Sequence, residues 1–540
     1  MNRLLFFALF LTACPSGDVP VEPPDVPPSS CVTVSHEADG DGPGPVAQDP
    51  FFGTRPTNNF SNIQATTVDI DGVQLLYVQT TVRTFDDHFG FPWEDTVTVV
   101  APLASNLSST NSAALIAQSG TLNAIGAGDS DPTWPSLPSW FKGTENSSNF
   151  RYTWGSVAAE FGIPVVFGNA VPDRITLPDS VAERVNAALL SSADPCDELM
   201  DCNGNEGVLD SDGDITNCLK VATLLEEDIR YDPGINFAVA QSRILDAGQE
   251  IVNALYEDEG VVVNWDEVFV AGSSKRGRTM RMLSGMDSRV VGVLNAASQT
   301  VATREFHTLM SGVWERGFTP TMGDLMTGPF AEELERAISL PHWKPEVVDD
   351  TTFVFAVGTN DPLLPLASTV TFQDSLPENA RFLLVPNYGH GMGTVDHAAV
   401  FRSMIGEQLA GWAWPQVTAE WTEGGVVARV SDGSGAVLSD SPTVDLWCSV
   451  DESSTKTIHV FDEHCDYERL EPSNSTDLRL AGWSRVNMVK DGDGVYSANP
   501  PETSLSYPAC IVRAVTQHGT VATSPVILST PLCEAVGELF

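Results

Sequence analysis

The chain has 540 residues, and its 28 lysines and arginines are outnumbered by 72 aspartates and glutamates, giving a formal net charge of −44. So large an acidic excess repels polyanions and excludes nucleic acid as a partner. The length leaves room for two domains and a tether.

Arg3 and an apolar run over 4–11 open the chain. The run is too short to span a bilayer but fits a secretory signal. Leu11-Thr12-Ala13-Cys14 follows it directly and fits a bacterial lipoprotein cleavage site. On that reading residues 1–13 are removed and Cys14 carries the lipid. The other reading is an ordinary signal with Cys14 as a structural cysteine. Lipidation predicts a bacterial cell-envelope protein that touches the membrane through its N-terminus, at the outer membrane or cell surface. Residues 14–48, rich in Pro, Val and Asp, read as a semi-extended tether.

Residues 49–413 alternate strand and helix patterns, which predicts a doubly wound, mostly parallel α/β sheet. Residues 113–117 form an apolar strand ending in Gln118-Ser119-Gly120-Thr121. An insertion at about 194–219 carries Cys196, Cys202 and Cys218 and is dense in acids. Asp201, Asn203 and Asn205, and again Asp210, Asp212 and Asp214, have the alternate spacing of a calcium loop, but Glu206 or Ile215 stands where the EF-hand needs glycine. The alternative is a solvated acidic loop held by disulfides. A helix over 235–257 presents Ile244, Leu245, Ile251, Val252 and Leu255 as one apolar stripe, the signature of a core face.

The strand Trp265-Asp266-Glu267-Val268-Phe269-Val270-Ala271 then runs into Gly272-Ser273-Ser274-Lys275-Arg276-Gly277 and a helical pattern. A sharp strand-to-helix turn lifts a serine hydroxyl clear of a sheet edge and aims the following N–H at an oxyanion. The second glycine comes one residue later than in G-x-S-x-G. Lys275, Arg276, Arg278 and Arg281 fall within seven residues of this acidic chain. Helix starts disfavour cations, so two readings stand: a positive rim in which Arg276 and Arg278 bind substrate, or buried arginines paired with acids. Residues 305–343 hold His307, Trp314, Phe318, Phe330 and Trp343, either a pocket wall or a packed helical insertion.

Two further strands end in chemistry-bearing turns. Residues 353–358 lead to Asp361, and residues 381–385 lead to His390; a closing helix covers 395–409. Serine, aspartate and histidine in that chain order, each after a strand, form the constellation of an α/β-hydrolase. His390 takes the proton from Ser274 and Asp361 orients the imidazole. The Lys275 N–H and a donor at Ser119 or Gly120 complete an oxyanion hole; a plain polar turn is the alternative at 118–121.

Gly272-Ser273-Ser274-Lys275-Arg276-Gly277, Asn360-Asp361-Pro362-Leu363-Leu364-Pro365 and Val385-Pro386-Asn387-Tyr388-Gly389-His390 carry a resemblance. With them the chain, from about residue 60 to its end, resembles the PhoPQ-activated pathogenicity-related family of α/β-hydrolase-like proteins. The elbow is also similar to that of glucuronoyl esterases. Family members have an aromatic residue after S-K-R-G, where this chain has Arg278. The resemblance implies a secreted or envelope hydrolase.

From 414 to 540 short alternating strands with Gly and Asp turns predict a β-sandwich-like domain. Cys448 with Cys465, and Cys510 with Cys533, are the nearest pairs there. The whole reads as an envelope-anchored serine hydrolase of a small-molecule, glycan or peptide ester, with calcium as the one cofactor to test. A non-catalytic binding lipoprotein and a serine peptidase are the alternatives.

Overall fold

A meander begins the sheet in this computed structural model: β1 (Thr66–Ile70), β2 (Val73–Asp86) and β3 (Pro92–Pro102) pair antiparallel. The structure describes residues 58, 60, 63, 65–70, 72–86, 92–117, 155–168, 177–191, 212–298, 329–343, 348, 350–359, 361, 373, 376–377, 379–388, 395–439, 441–450, 483–502 and 509–528, all within one compact unit, His36–Phe540. Next come β4 (Ser112–Ala117), β5 (Val165–Gly168), β6 (Glu267–Ser273), β7 (Val290–Ala296), β8 (Thr352–Gly358) and β9 (Arg381–Val385), joined in parallel in the order β5-β4-β6-β7-β8-β9. Parallel strands buried on both faces need covering helices on both sides, and the residue alternation shows two such faces. In β4, Ala113, Leu115 and Ala117 enter one core while Ala114 and Ile116 enter the other; in β8, Phe353 and Phe355 oppose Val354 and Ala356.

Helices α1 (Gly155–Phe161), α2 (Asp179–Ser191), α3 (Asp212–Glu226), α4 (Pro233–Leu255), α5 (Lys275–Met286), α6 (Pro329–Ile338) and α7 (Val395–Ala410) supply the layers. Residues of α2 to α6 join the first core, and residues of α1 and α7 join the second. Helix α4 is the helix expected over 235–257, begun two residues earlier. Asp232 caps it, accepting from the Ile235 N–H at 3.0 Å, and Pro233 takes the first turn. The predicted stripe is core: Ile244, Leu245, Ile251 and Val252 are buried. Trp343 is also core, with its indole N–H donated to the Ala337 carbonyl at 3.1 Å. His307, Trp314 and Phe318 lie outside the described residues.

The C-terminal strands β10 (Gln416–Thr422), β11 (Gly425–Ser431), β12 (Thr443–Ser449), β13 (Trp483–Asn487), β14 (Val489–Gly492), β15 (Val495–Ala498), β16 (Ala509–Val515), β17 (Val521–Thr523) and β18 (Ile527–Leu528) are antiparallel, as the alternation predicts. They form two layers. One, β10-β11-β15-β14, is a separate sheet. The other, β17-β16-β12-β13, continues the central sheet through the pairing of Thr523 with Phe382 on β9. Val417, Val426 and Val430 of the separate sheet share a core with Leu446 and Val512 of the other layer and with Phe401 and Ile405 of α7.

Cys448 bonds Cys510. This overturns the pairing of Cys448 with Cys465 and of Cys510 with Cys533. The reason is register: Cys448 and Cys510 are direct partners across β12 and β16, a proximity that spacing along the chain does not reveal. Cys218 is disulfide-bonded, as expected for the insertion.

Candidate active site

Strand β6 ends at Ser273, and α5 begins at Lys275, so a single residue makes the turn. That residue, Ser274, has φ 56° and ψ −128°. A non-glycine residue there is strained and persists only where its surroundings impose it. The constraints are visible. The Ser274 N–H donates to the Ala296 carbonyl at the end of β7 at 2.8 Å, and the Ser274 carbonyl accepts from Arg278 at 3.2 Å. Gly272 and Gly277 allow the close approach: a Cβ on Gly272 would meet the Arg276 carbonyl oxygen at 2.4 Å, and one on Gly277 would meet Asn295 Oδ1 at 2.8 Å. The later position of the second glycine therefore still yields a tight elbow, seated on the end of β7. Ser274 is half-buried and so reaches solvent. Lys275 opens α5, and a helix leaves its first N–H groups to acceptors outside it.

Asp361 is fully buried three residues past β8, its N–H donated to the Gly358 carbonyl at 3.2 Å. Strands β6, β7, β8 and β9 are consecutive and parallel, with Ser273, Ala296, Ala356 and Leu383 at one level. Ser274, Asp361 and the chain leading to His390 therefore all leave the same edge, the carboxyl edge where open α/β sheets bind ligands. Neighbouring strands are about 4.8 Å apart, so β6 and β9 are separated by about 14 Å. His390, Ser119 and Gly120 lie outside the described residues. Ala117, the last residue of β4, is registered against Gly272, so β4 ends at the level of the elbow.

The cations behind the elbow are buried. Arg276, Arg278 and Arg281 are each no more than 6% exposed. Arg278 Nη2 meets Asp232 Oδ2 at 2.9 Å, and its guanidinium passes over Gly234, where a Cβ would lie 3.1 Å from Nε. Arg281 donates to the Ile338 carbonyl at 3.5 Å. Burial and then Arg278 work against the Arg281 charge, with Glu335 and Asp232 in support. Sequence reasoning missed Lys220 on α3. The residue is half-buried. Burial, then Arg278, pulls its pKa down to about 7; Asp232 opposes and Lys275 adds to the fall. The elbow thus has a positive backing contributed by α3 and α5, in a chain of net charge −44.

Among the described residues no group of three or more His, Cys, Asp or Glu side chains is placed to hold a metal. Of the calcium candidates, Asp212 and Asp214 belong to the first turn of α3; Asp201, Asn203, Asn205 and Asp210 lie outside the described residues, as do Cys14 and the tether. No helix among the described residues is long and apolar enough to cross a membrane.

No family model matches the chain, and no curated protein matches it. Solved structures with similarity include a glucuronoyl esterase from Solibacter usitatus, at 9% identity over 65% of this chain and 87% of that one, TM-score 0.35. An acetyl xylan esterase from Paenibacillus sp. R4 shares 12% identity over 64% of this chain and 93% of that one, TM-score 0.32. A CE15 glucuronoyl esterase from Teredinibacter turnerae T7901 shares 12% identity over 67% and 81%, TM-score 0.35. With such scores the α/β-hydrolase assignment rests on the sheet order and the strand-end placement described above.

Proposed function

We propose that the protein is a serine hydrolase that cleaves carboxylic esters with Ser274 as nucleophile, His390 as general base and acid, and Asp361 as the orienting carboxylate. The observation that carries this reading is the backbone of Ser274, φ 56° and ψ −128° at a one-residue strand-to-helix turn. Strain of this kind costs on the order of 1–3 kcal/mol and clusters where a side chain must be presented for chemistry. The Lys275 N–H, with a donor from Ser119 or Gly120, receives the oxyanion. The charge of half-buried Lys275 stabilises it further, whereas Arg276 and Arg278, expected to bind substrate, are buried, and Arg278 is paired with Asp232. An alkoxide leaves more easily than an amine, which must first be protonated, so esters are the better substrates and peptides the poorer ones.

Cys14 carries the lipid, and residues 14–48 tether the enzyme to the bacterial envelope. The resemblance of the motifs at Ser274, Asp361 and His390 to those of the PhoPQ-activated pathogenicity-related proteins supports the reading of an envelope hydrolase. The test is hydrolysis of an ester panel and a peptide panel by wild type, Ser274→Ala and His390→Ala. Ester turnover by wild type that falls at least 10³-fold in both variants is expected. Equal rates in wild type and folded Ser274→Ala would overturn the reading.

A further inference from the structure

The end of β9 is gripped from several directions, and Asn387 is the junction. Its backbone N–H donates to Thr359 Oγ1 at 2.8 Å, and the Thr359 N–H donates to the Val385 carbonyl at 3.0 Å. Thr359 is buried and lies two residues before Asp361. These bonds tie the turn that carries the acid to the end of β9. The Asn387 side chain reaches the other way. Nδ2 donates to the Trp483 carbonyl at 3.0 Å, and Oδ1 accepts the Trp483 N–H at 3.1 Å. One amide thus occupies both backbone groups of the first residue of β13, as a paired strand residue would. Close by, the Leu384 N–H donates to Thr523 Oγ1 of β17 at 2.9 Å.

The backbone selects the same residue type. Asn387 has φ 60°, a left-handed conformation that asparagine adopts more readily than most side chains. Glycine would fit that φ but has no side chain to bond Trp483. Aspartate would accept from the Trp483 N–H but has no donor for its carbonyl. Asparagine meets the conformational, donor and acceptor requirements together.

We infer that Asn387 is a positioning residue of the hydrolytic site, locking the strand end that leads to His390 onto the acid-bearing turn and onto β13. The inference rests on the triad reading above. The C-terminal strands are then part of the catalytic apparatus: β13 and β17 hold the segment from which the general base emerges. A displacement of about 1 Å in a catalytic group costs on the order of 100-fold in rate, so a lock three residues from the imidazole has ample leverage.

The test uses the full chain with Asn387→Gly, Asn387→Ala and Asn387→Asp, each checked for folding by circular dichroism. Asn387→Gly keeps the backbone conformation and removes only the two side-chain bonds. It is expected to lower kcat for an activated ester by about 10- to 100-fold with KM little changed. It is also expected to speed hydrogen exchange in the segment after β9 and at the start of β13, as read by mass spectrometry. Asn387→Asp keeps the acceptor for the Trp483 N–H and loses the donor to the Trp483 carbonyl, so its kcat is expected to fall between those of wild type and Asn387→Gly. Asn387→Ala should match Asn387→Gly in the loss of kcat and be less stable, because its φ is disfavoured. Wild-type kcat and wild-type exchange in folded Asn387→Gly would overturn the inference while leaving the serine reading intact. Wild-type kcat in folded Asn387→Asp would overturn it independently, should the glycine variant not fold. Failure of the serine reading shows separately, as equal turnover by wild type and Ser274→Ala.

Discussion

Replacing Asp232 by Asn removes one charge from beneath the elbow with almost no change of shape. The carboxylate does two things: Oδ1 accepts the Ile235 N–H at 3.0 Å as the cap of α4, and Oδ2 holds Arg278 Nη2 at 2.9 Å. Asparagine caps a helix as well as aspartate, so the variant isolates the ion pair. The side chains of Arg278 and Asp232 are only 7% and 3% exposed, too deep for water to take over the guanidinium. Breaking a buried pair from one side costs about 3–5 kcal/mol, because the remaining charge is stranded. Here Arg281 adds repulsion. Asp232→Ala should lose about 1 kcal/mol more through the cap. Arg278→Met combined with Asp232→Asn strands nothing and should recover most of the loss, with a coupling energy of about 2 kcal/mol or more. Urea unfolding of wild type, Asp232→Asn, Asp232→Ala, Arg278→Met and the double variant at pH 7.5 measures this. An Asp232→Asn variant within about 1 kcal/mol of wild type, or strictly additive single variants, would refute the reasoning.

Lys220 supplies a pH signature. Its pKa is about 7 in the fold against an ordinary lysine value of 10.5, so between those values the unfolded chain binds more protons and stability rises with pH. Below pH 7 both states are charged and the fold bears the full cost of burying the ammonium. Lys220→Met should therefore be more stable than wild type at pH 6, by on the order of 2–4 kcal/mol, with the difference shrinking toward pH 10; a pH-independent difference between thermal unfolding curves would contradict this. The Cys448–Cys510 bond joins residues 62 apart. Loop-closure entropy gives it about 4 kcal/mol, so the double alanine variant should unfold earlier in urea, and reductant should shift wild type more than the variant, which keeps the bond at Cys218. Peptide mapping under non-reducing conditions should recover the 448–510 link, and recovery of a 448–465 peptide would contradict the register of β12 and β16.

The elbow and the turn that carries Asp361 were legible because their signals are local. The elbow joins a strand, two small residues and a helix within a dozen positions, and Asp361 and His390 each follow a continuous apolar strand. The alternation of β10 to β17 was legible for the same reason. What escaped depends on contacts far along the chain. Cys510 pairs across a register set by strands separated by an uncharted connection, so spacing pointed to the wrong partners. Lys220 follows a cysteine in an acidic insertion and joins the elbow cations only because α3, α4 and α5 pack together. Asn387 sits in the motif read for His390, yet its partners are 28 and 96 residues away. Of the two readings of the arginine cluster, burial beside an acid describes Arg278.

The most direct measurement is the site of covalent attachment of a fluorophosphonate probe, mapped by peptide mass spectrometry on the folded full-length chain. The account predicts a single adduct on Ser274, absent from Ser274→Ala and slowed at least 10³-fold in His390→Ala. A folded wild-type protein that takes up no probe, or takes it up at another serine with Ser274 unmodified, would contradict the assignment of the nucleophile.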